Sequence, residues 1–541
     1  MRDDGLARES DTSATDPLLT VISRLRQPFE RLYDALIDPQ RSDRTVARLL
    51  VGFVVLYTLY ALIAFGRMDV HFDFGEGLAW SRRPAWGYKH PPMSAWIIWV
   101  WFALFPIADW SAYLLAMVVS ASSIWIAWYA IRDWLDIERR ALALAMLLLV
   151  PLYSFHALKF NANTVMMPFW AASAVWFLRS VTRHDVGASL GTGLAAAGAL
   201  LGKYWSLNLI AGLGLASIVD RRRAKYFRSP TCWIAIGVGL VAITPHLLWL
   251  RQSGREAISF ASSIRVDYVT AAGRSLEYVS GSLAYAVMPI LLLIALRPSR
   301  ATIRETLLPR DPDRALIAMA FWFPLLLPAV LNLALPTRLT SIWSIPDWTL
   351  LPVVLLGAST LRVTRHVSVT ALALACAVPL LALAAAPALA VTSATSYDDQ
   401  PLAHVSLLAR VADSSWHRAT TAPLALLGGD YQLTNGVAFY SRERPVVRPE
   451  APLDSSSVQR IEREGIVILC RVEPGDCTSF LDSAASRWPA APRRDTVALT
   501  RKFLGRSGPT AAYVMLVILP VVNSRSVERD AAGSNQRDAL Q

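Results

Sequence analysis

The stretch from His71 to Pro92, HFDFGEGLAWSRRPAWGYKHPP, gathers Asp73, Glu76, Arg82, Arg83, Lys89 and His90. A carboxylate of this kind can take a proton from a hydroxyl, and cations beside it can hold an anion while charge develops. Asp73 and Glu76 stand three residues apart, so a helical backbone there would set both on one face. Apolar runs long enough to cross a membrane lie on one or both sides of the stretch. Charge so close to hydrocarbon is costly to keep and by default marks function. The bland alternative is a solvated loop between two helices. We read it instead as the floor of an active site on the outer face of a membrane.

Of the 541 residues, 54% are hydrophobic and 17% charged, with a mean hydropathy of +0.38. A soluble chain of this length would divide into several domains with polar surfaces. This one repeats apolar runs close to the ~20 residues that cross a bilayer, as an integral membrane protein does. The net charge of +12 does not read as nucleic-acid binding, because arginines cluster in short connections between spans, where they set topology. Membrane lipids are the partner that composition implies, and the nineteen tryptophans suit interfacial belts. Cys232 and Cys376 fall inside apolar runs. Cys470 and Cys477 flank Pro474 and Gly475, a turn that can bring them together as a disulfide in an extracytoplasmic compartment.

Eleven candidate spans lie at 46–65, 111–131, 140–157, 164–179, 188–202, 205–219, 231–250, 280–296, 315–335, 341–358 and 367–391. The run 93–107, MSAWIIWVWFALFPI, is apolar but short for a full crossing. If it lies flat in the interface, the arginine-rich connections at 132–140, 179–183, 221–228, 297–314 and 362–365 all fall on the side of the arginine-rich N-terminus. If it crosses, all of them land outside, against the positive-inside rule. We take it as an interfacial helix. The outer connections are then 66–110, 158–163, 203–204, 251–279 and 336–340, and they collect acids, amides, histidines and lysines, whereas the inner ones are mostly plain arginine. An enzyme site needs the mixed set.

The expected organisation is a cytoplasmic tail over 1–44 and a membrane domain over 45–391, with its first outer loop at 66–110 and a large outer loop at 251–279. From 392 the composition changes. PLALLGG, GIVILC and AAYVMLVILP are short apolar runs bounded by Gly, Pro and charge, which read as buried strands, and 452–463 and 478–488 read as helices. These make a small extracytoplasmic α/β domain over 392–522, followed by a polar, disordered tail over 523–541. No internal repeat is visible.

Asp73, then Trp80-Ser81, Trp86-Gly87-Tyr88 and Lys89-His90-Pro91-Pro92, resemble the first outer loop of bacterial GT-C glycosyltransferases. These are the family 39, protein O-mannosyltransferase-like enzymes that include the lipid A aminoarabinose transferase and the rhizobial galacturonosyltransferases. Phe160–Trp170, Gly202-Lys203, Pro245-His246-Leu247 with Trp249-Leu250, Gly429–Gln432 with Phe439-Tyr440, and Phe503–Gly505 match further segments in the same order. The resemblance implies a polytopic α-helical GT-C fold of about eleven spans with the small α/β domain behind it. It also implies inverting sugar transfer from a polyprenyl-phosphate donor to a lipid or glycan acceptor of the cell envelope, on the periplasmic face of a bacterial inner membrane. Three positions depart from the family pattern. Phe74 separates Asp73 from the next acid, Glu76; Asn163 stands where relatives often carry Asp; and His90, with Lys89 beside it, stands where Lys is usual. A divalent metal ion is a candidate cofactor, but no ligands for it are carried over.

That reaction assigns roles to the outer groups. Asp73 is the candidate base, with Glu76 as the alternative; the plain reading of either acid is a cap or a salt bridge. Lys203, Arg265, Arg255, Lys89 and His90 are candidates for the donor phosphate, with Arg251 a further outer-loop cation. Snorkelling to the interface is the alternative for Lys203. Trp86, Tyr88, Lys159, Asn161, Asn163 and His246 are candidates for the sugar or acceptor. Interfacial anchoring is the alternative for the aromatics, and a helix N-cap for Asn163. A transporter or flippase of lipid-linked sugars is the competing class, and a non-catalytic lipid-binding relative is a third. Transporters favour two related halves and mid-membrane charge, and neither pattern is visible in this chain. A tag inserted after Ile131 is expected to stay unreachable to impermeant reagents in intact cells; access from outside alone would overturn the flat placement of 93–107.

Overall fold

The computed structural model describes residues 17–82, 85–254, 265–393, 404–448, 455–472, 476–488 and 493–521, and each of the eleven apolar runs contains helix. In order these helices are Pro17–Ile37 (α1), Ser42–Ala64 (α2), Phe72–Ser81 (α3), Met93–Leu104 (α4), Asp109–Ala130 (α5), Ile137–Leu148 (α6), Ala162–Arg183 (α7), Val186–Gly202 (α8), Leu207–Val219 (α9), Arg223–Arg228 (α10) and Pro230–Ser253 (α11). Tyr268–Tyr285 (α12), Val287–Ala295 (α13), Arg300–Leu307 (α14), Pro312–Ala334 (α15), Leu351–Leu356 (α16) and Arg365–Ser393 (α17) complete the helical part. Arg255 and the polar tail over 523–541 lie outside the described residues.

Among the described residues, five helices are long and apolar enough to cross a bilayer: Ser42–Ala64, Asp109–Asp133, Pro230–Ser253, Pro312–Ala334 and Arg365–Thr392. The pair α12 and α13, bent by 49° where they meet, makes a sixth if it forms one broken span. The other expected spans include the shorter apolar helices Val186–Gly202, Tyr204–Val219 and Asp347–Leu356. Helix α4 has 12 residues. At ~1.5 Å per residue it reaches about 18 Å, well short of a hydrocarbon core of about 30 Å. Its Ala95 is buried and its Ile98 packs in one cluster with Phe74 and Phe160, while Trp99, Val100 and Leu104 face outward. That pattern suits a helix lying on a protein floor.

The C-terminal part explains its own sequence pattern. It contains Val405–Ala419 (α18), Leu426–Gly429 (β1), Tyr431–Tyr440 (α19), Val446–Arg448 (β2), Ser455–Glu464 (α20), Ile466–Arg471 (β3), Asp476–Arg487 (α21), Arg493–Phe503 (β4) and Arg506–Ile518 (β5). The sheet runs β2-β1-β3-β5-β4, parallel across β2, β1 and β3 and antiparallel across β3, β5 and β4. Strand β3 is apolar from Ile466 to Cys470 because both faces are covered there, and it ends on Arg471. Val467 and Leu469 pack towards α18 and α19, whereas Ile466, Ile468 and Cys470 pack towards α20 and α21. Cys470 and Cys477 are joined as a disulfide, with Cα atoms 5.7 Å apart, tying the end of β3 to α21.

This domain docks on the first loop through buried polar contacts. Asp69, 4% exposed, accepts from Arg501 Nη2 at 2.6 Å and from the Ser406 backbone N–H at 2.8 Å. Tyr440 donates to Asp109 Oδ1 at 2.8 Å and accepts from the Val70 backbone N–H at 2.9 Å. Helices α19 and α3 cross so closely that a Cβ on Gly75 would lie 2.6 Å from the Asn435 carbonyl oxygen. Only glycine permits that approach. Asp69→Ala takes the carboxylate from Arg501, leaving it only the Ser406 hydroxyl, at a cost of about 3 kcal/mol. The expected outcome is a lower unfolding midpoint and faster protease release of the C-terminal domain, measured against the wild type; unchanged release would deny this pair a docking role.

Candidate active site

Helix α3 begins where His71 Nδ1 accepts from the Asp73 backbone N–H at 3.2 Å. Burial holds the His71 imidazole near 4, opposed by Asp73 and assisted by Lys159, so at neutral pH its ring can act as an acceptor. Asp73 falls in the first turn, where the helix dipole favours an anion. Glu76 follows one turn later, and both carboxylates line a cavity of about 300 Å³. Gly77 also lines it; a Cβ there would lie 2.5 Å from Ile98 of α4.

The opposite wall is the first turn of α7. The N-cap is Asn161 and not Asn163: Asn161 Oδ1 accepts from the Asn163 backbone N–H at 2.9 Å. The other end of the same amide donates to Asp73 Oδ2 at 3.0 Å. Asn163 is thereby left free to accept from Lys203 Nζ at 2.7 Å. Lys203 ends α8 in an extended conformation, and its ammonium also sits 4.4 Å from the Trp343 ring centre. Base candidate and cation candidate are thus joined through two amides on one helical turn.

Electrostatics set these groups apart from surface ones. Burial raises Glu76 to about 7, against the opposing pull of Lys89 and the Tyr431 hydroxyl. Burial lowers Lys203 to about 7, with Asp73 pulling the other way. His90 is lowered to about 3 by burial and by the neighbouring Lys203 and Lys89. A neutral His90 can donate one N–H to an anion and cannot serve as a cation. Glu76 and Lys203 both change charge within the physiological range, as groups at reaction sites often do.

The remaining candidates divide. Lys89 reaches Glu76 Oε1 at 3.2 Å. Tyr88 stacks on Trp80 at 5.1 Å, donates to its carbonyl, and gives its own N–H to the His90 carbonyl, so it shapes the turn that carries Lys89 and His90. Trp86 lies outside the cavity, 49% exposed, with its carbonyl on His246 Nδ1. The other nitrogen of His246 meets the Tyr204 hydroxyl at 3.0 Å, so both ring nitrogens are engaged and His246 orients Tyr204 in the cavity wall. Lys159 lines a second cavity of about 180 Å³ with His71, and the two cavities share Phe160. Arg265 is exposed and is not among the residues of either cavity; its backbone pairs with Thr337. No group of three His, Cys, Asp or Glu able to hold a metal occurs among the described residues, and Asp73 and Glu76 are already matched by an amide, an ammonium and a hydroxyl.

The profile of the family described as dolichyl-phosphate-mannose-protein mannosyltransferase matches residues 89–249. No curated protein sequence matches the chain. The crystal structure of ArnT from Cupriavidus metallidurans bound to undecaprenyl phosphate superposes with a TM-score of 0.56 at 12% identity, covering 87% of this chain and 97% of that one. Its apo state gives 0.53 at 12%, over 86% and 98%. The chain has the fold of these ArnT structures. The matched segment holds Lys89, His90, Asn161, Asn163 and Lys203 but stops short of Asp73, Glu76, Trp343 and Tyr431, whose part in the candidate site rests on geometry.

Sequence reasoning did not assign Tyr431, Trp205 or Trp343 to the site. Tyr431 stood in a noted motif, Gly429–Gln432, but nothing in the motif says that it reaches Glu76. Trp205 and Trp343 are two more tryptophans in a chain with nineteen. Competitive acylation of the folded protein is expected to titrate Lys203 with a midpoint near 7, against about 10.4 for exposed lysines. A midpoint near the exposed value would remove Lys203 from the dry wall of the site.

Proposed function

We propose that the protein is an inverting glycosyltransferase. It would move a sugar from a polyprenyl-phosphate carrier to a lipopolysaccharide or other envelope acceptor, with its site on the periplasmic face of the inner membrane. The observation that carries this reading is the pairing of Asp73 with Lys203 across one cavity, through Asn161 and Asn163. A glycosyl phosphate needs a base on one side of the anomeric carbon and a cation on the other. The undecaprenyl phosphate bound in the ArnT structure is a ligand of that chemistry. The Cys470–Cys477 disulfide suits an oxidising compartment and supports an outer placement of the C-terminal domain.

In this reading the acceptor hydroxyl oxygen bonds to the anomeric carbon as the carbon–oxygen bond to phosphate breaks. Asp73 receives the hydroxyl proton, and the Asn161 amide keeps its carboxylate aimed at the cavity. The phosphate leaves with the bonding pair and is held by Lys203 and Lys89. One displacement inverts the centre. Trp205, Trp343 and Phe160 exclude water and offer faces for the sugar or the first prenyl units. The second cavity, with Asp69, His71 and Lys159 among phenyl rings, is suited to an acceptor that has an apolar body and polar groups.

Purified protein in nanodiscs, given a synthetic polyprenyl-phosphate sugar and envelope lipid, is expected to release polyprenyl phosphate. Asp73→Asn should lower turnover by about 10²–10⁴-fold; unchanged turnover in it and in Glu76→Gln would end the assignment of the base. Transport without turnover would favour the flippase reading. Polyprenyl-phosphate affinity should also fall as pH rises through about 7, because Lys203 then loses positive charge and Glu76 gains negative charge. The fall should be smaller in Lys203→Gln. An affinity flat between about pH 5.5 and 8.5 would contradict the charge assignments.

A further inference from the structure

Tyr431 belongs to the C-terminal domain, yet its hydroxyl donates to Glu76 Oε1, the same oxygen that receives Lys89 Nζ at 3.2 Å. The Lys89 ammonium also lies 5.1 Å from the centre of the Tyr431 ring. Three side chains from two parts of the molecule therefore close on one another at the cavity wall. Tyr431 is held there from several directions. Asp430 caps α19 by accepting from the Gln432 and Leu433 backbone N–H groups at 2.9 and 3.1 Å. Its own N–H donates to the Leu469 carbonyl at 2.9 Å, next to the disulfide-bonded Cys470. Arg471 pairs with Asp430 at 3.3 Å and reaches Gln432 Oε1 at 3.3 Å. The close crossing at Gly75 presses this helix onto α3.

We propose that Tyr431 is a positioning residue for sugar transfer: through its hydroxyl the C-terminal domain holds Glu76, and through Glu76 holds Lys89, at the wall of the cavity. The membrane part alone is then an incomplete site. This rests on the reading of the cavity as the place of transfer. The groups facing Glu76 are Lys89 from the connection before α4, Tyr431 from α19 and Asp73 from α3 itself, with His90 and Lys203 lining the same cavity and Ser94 the polar contribution of α4. The hydroxyl and the ammonium both favour ionised Glu76, so removing the hydroxyl shifts Glu76 further towards its neutral form. Lys89 then loses the anion that fixes it.

Tyr431→Phe removes one oxygen and keeps the ring. The carboxyl stretch of Glu76 can be identified by infrared spectroscopy as the band missing in Glu76→Gln, and its titration needs no turnover. Its midpoint is expected to move up by about one pH unit in Tyr431→Phe. At saturating donor, kcat relative to the wild type at the same pH should be several-fold lower at pH 7 and recover near pH 8.5, with KM for the acceptor little changed. Tyr431→Leu, which also removes the ring, should lose kcat without that recovery. An unmoved Glu76 midpoint overturns the contact. A moved midpoint with an unchanged pH profile of turnover reduces Tyr431 to a structural role and overturns the proposal. If wild-type protein transfers no sugar under any condition, the transfer reading itself fails, whatever the titration gives.

Discussion

The first turn of α7 is the constraint on which the site depends. An α-helix begins with backbone N–H groups that need partners, and Asn161 meets that need with its carbonyl oxygen while its amide nitrogen holds Asp73. Two residues on, Asn163 holds Lys203. One helix start therefore sets the spacing between an acid on α3 and a cation at the end of α8. Each carboxamide carries both a donor and an acceptor, so it can join unlike groups without adding charge to a cavity where unpaired charge is costly. A second aspartate at 163 would place a full charge beside Lys203 and Asp73. The asparagine leaves Lys203 to the opposing effects of burial and Asp73, so that its charge can respond to an incoming phosphate.

Burial is what makes the groups chemically distinct. Glu76 and Lys203 converge on the same range near 7 from opposite ordinary values, because desolvation disfavours the charged form of each. A site of this kind holds little net charge when empty. An anion entering it would draw a proton onto Lys203, and binding and protonation would then be linked. The neutral His90 completes the picture: burial, assisted by two nearby lysines, keeps its ring uncharged, so it differs from a lysine in both charge and reach.

The C-terminal domain is more than an appendage. Buried Asp69 and Arg501, Tyr440 on Asp109, and the crossing at Gly75 form one continuous polar and steric seam along the first loop. The seam ends at Tyr431 on Glu76, inside the cavity wall. The disulfide and the Arg471–Asp430 pair stiffen the strand end from which Tyr431 projects. Membrane helices alone would leave α3, a ten-residue helix, poorly anchored, since isolated helices of that length are marginal.

The amino-acid sequence by itself determined what depends on local composition and period. The apolar runs became helices, the strands in PLALLGG, GIVILC and AAYVMLVILP formed one sheet, and the shared face of Asp73 and Glu76 followed from a spacing of three. The short α4 was legible from its length. Contacts between distant segments were not legible, because hydrogen bonding at a cap or a wall depends on which segments meet. Asn161 took the cap that Asn163 also suited, and the same amide reaches Asp73 across 88 positions. Trp86 and His246 paired with each other instead of facing the cavity, and Tyr431 reached Glu76 in its wall from 355 positions away. Residue types supplied the chemistry; the packing of α3, α7, α8 and α19 chose which of them would face one another.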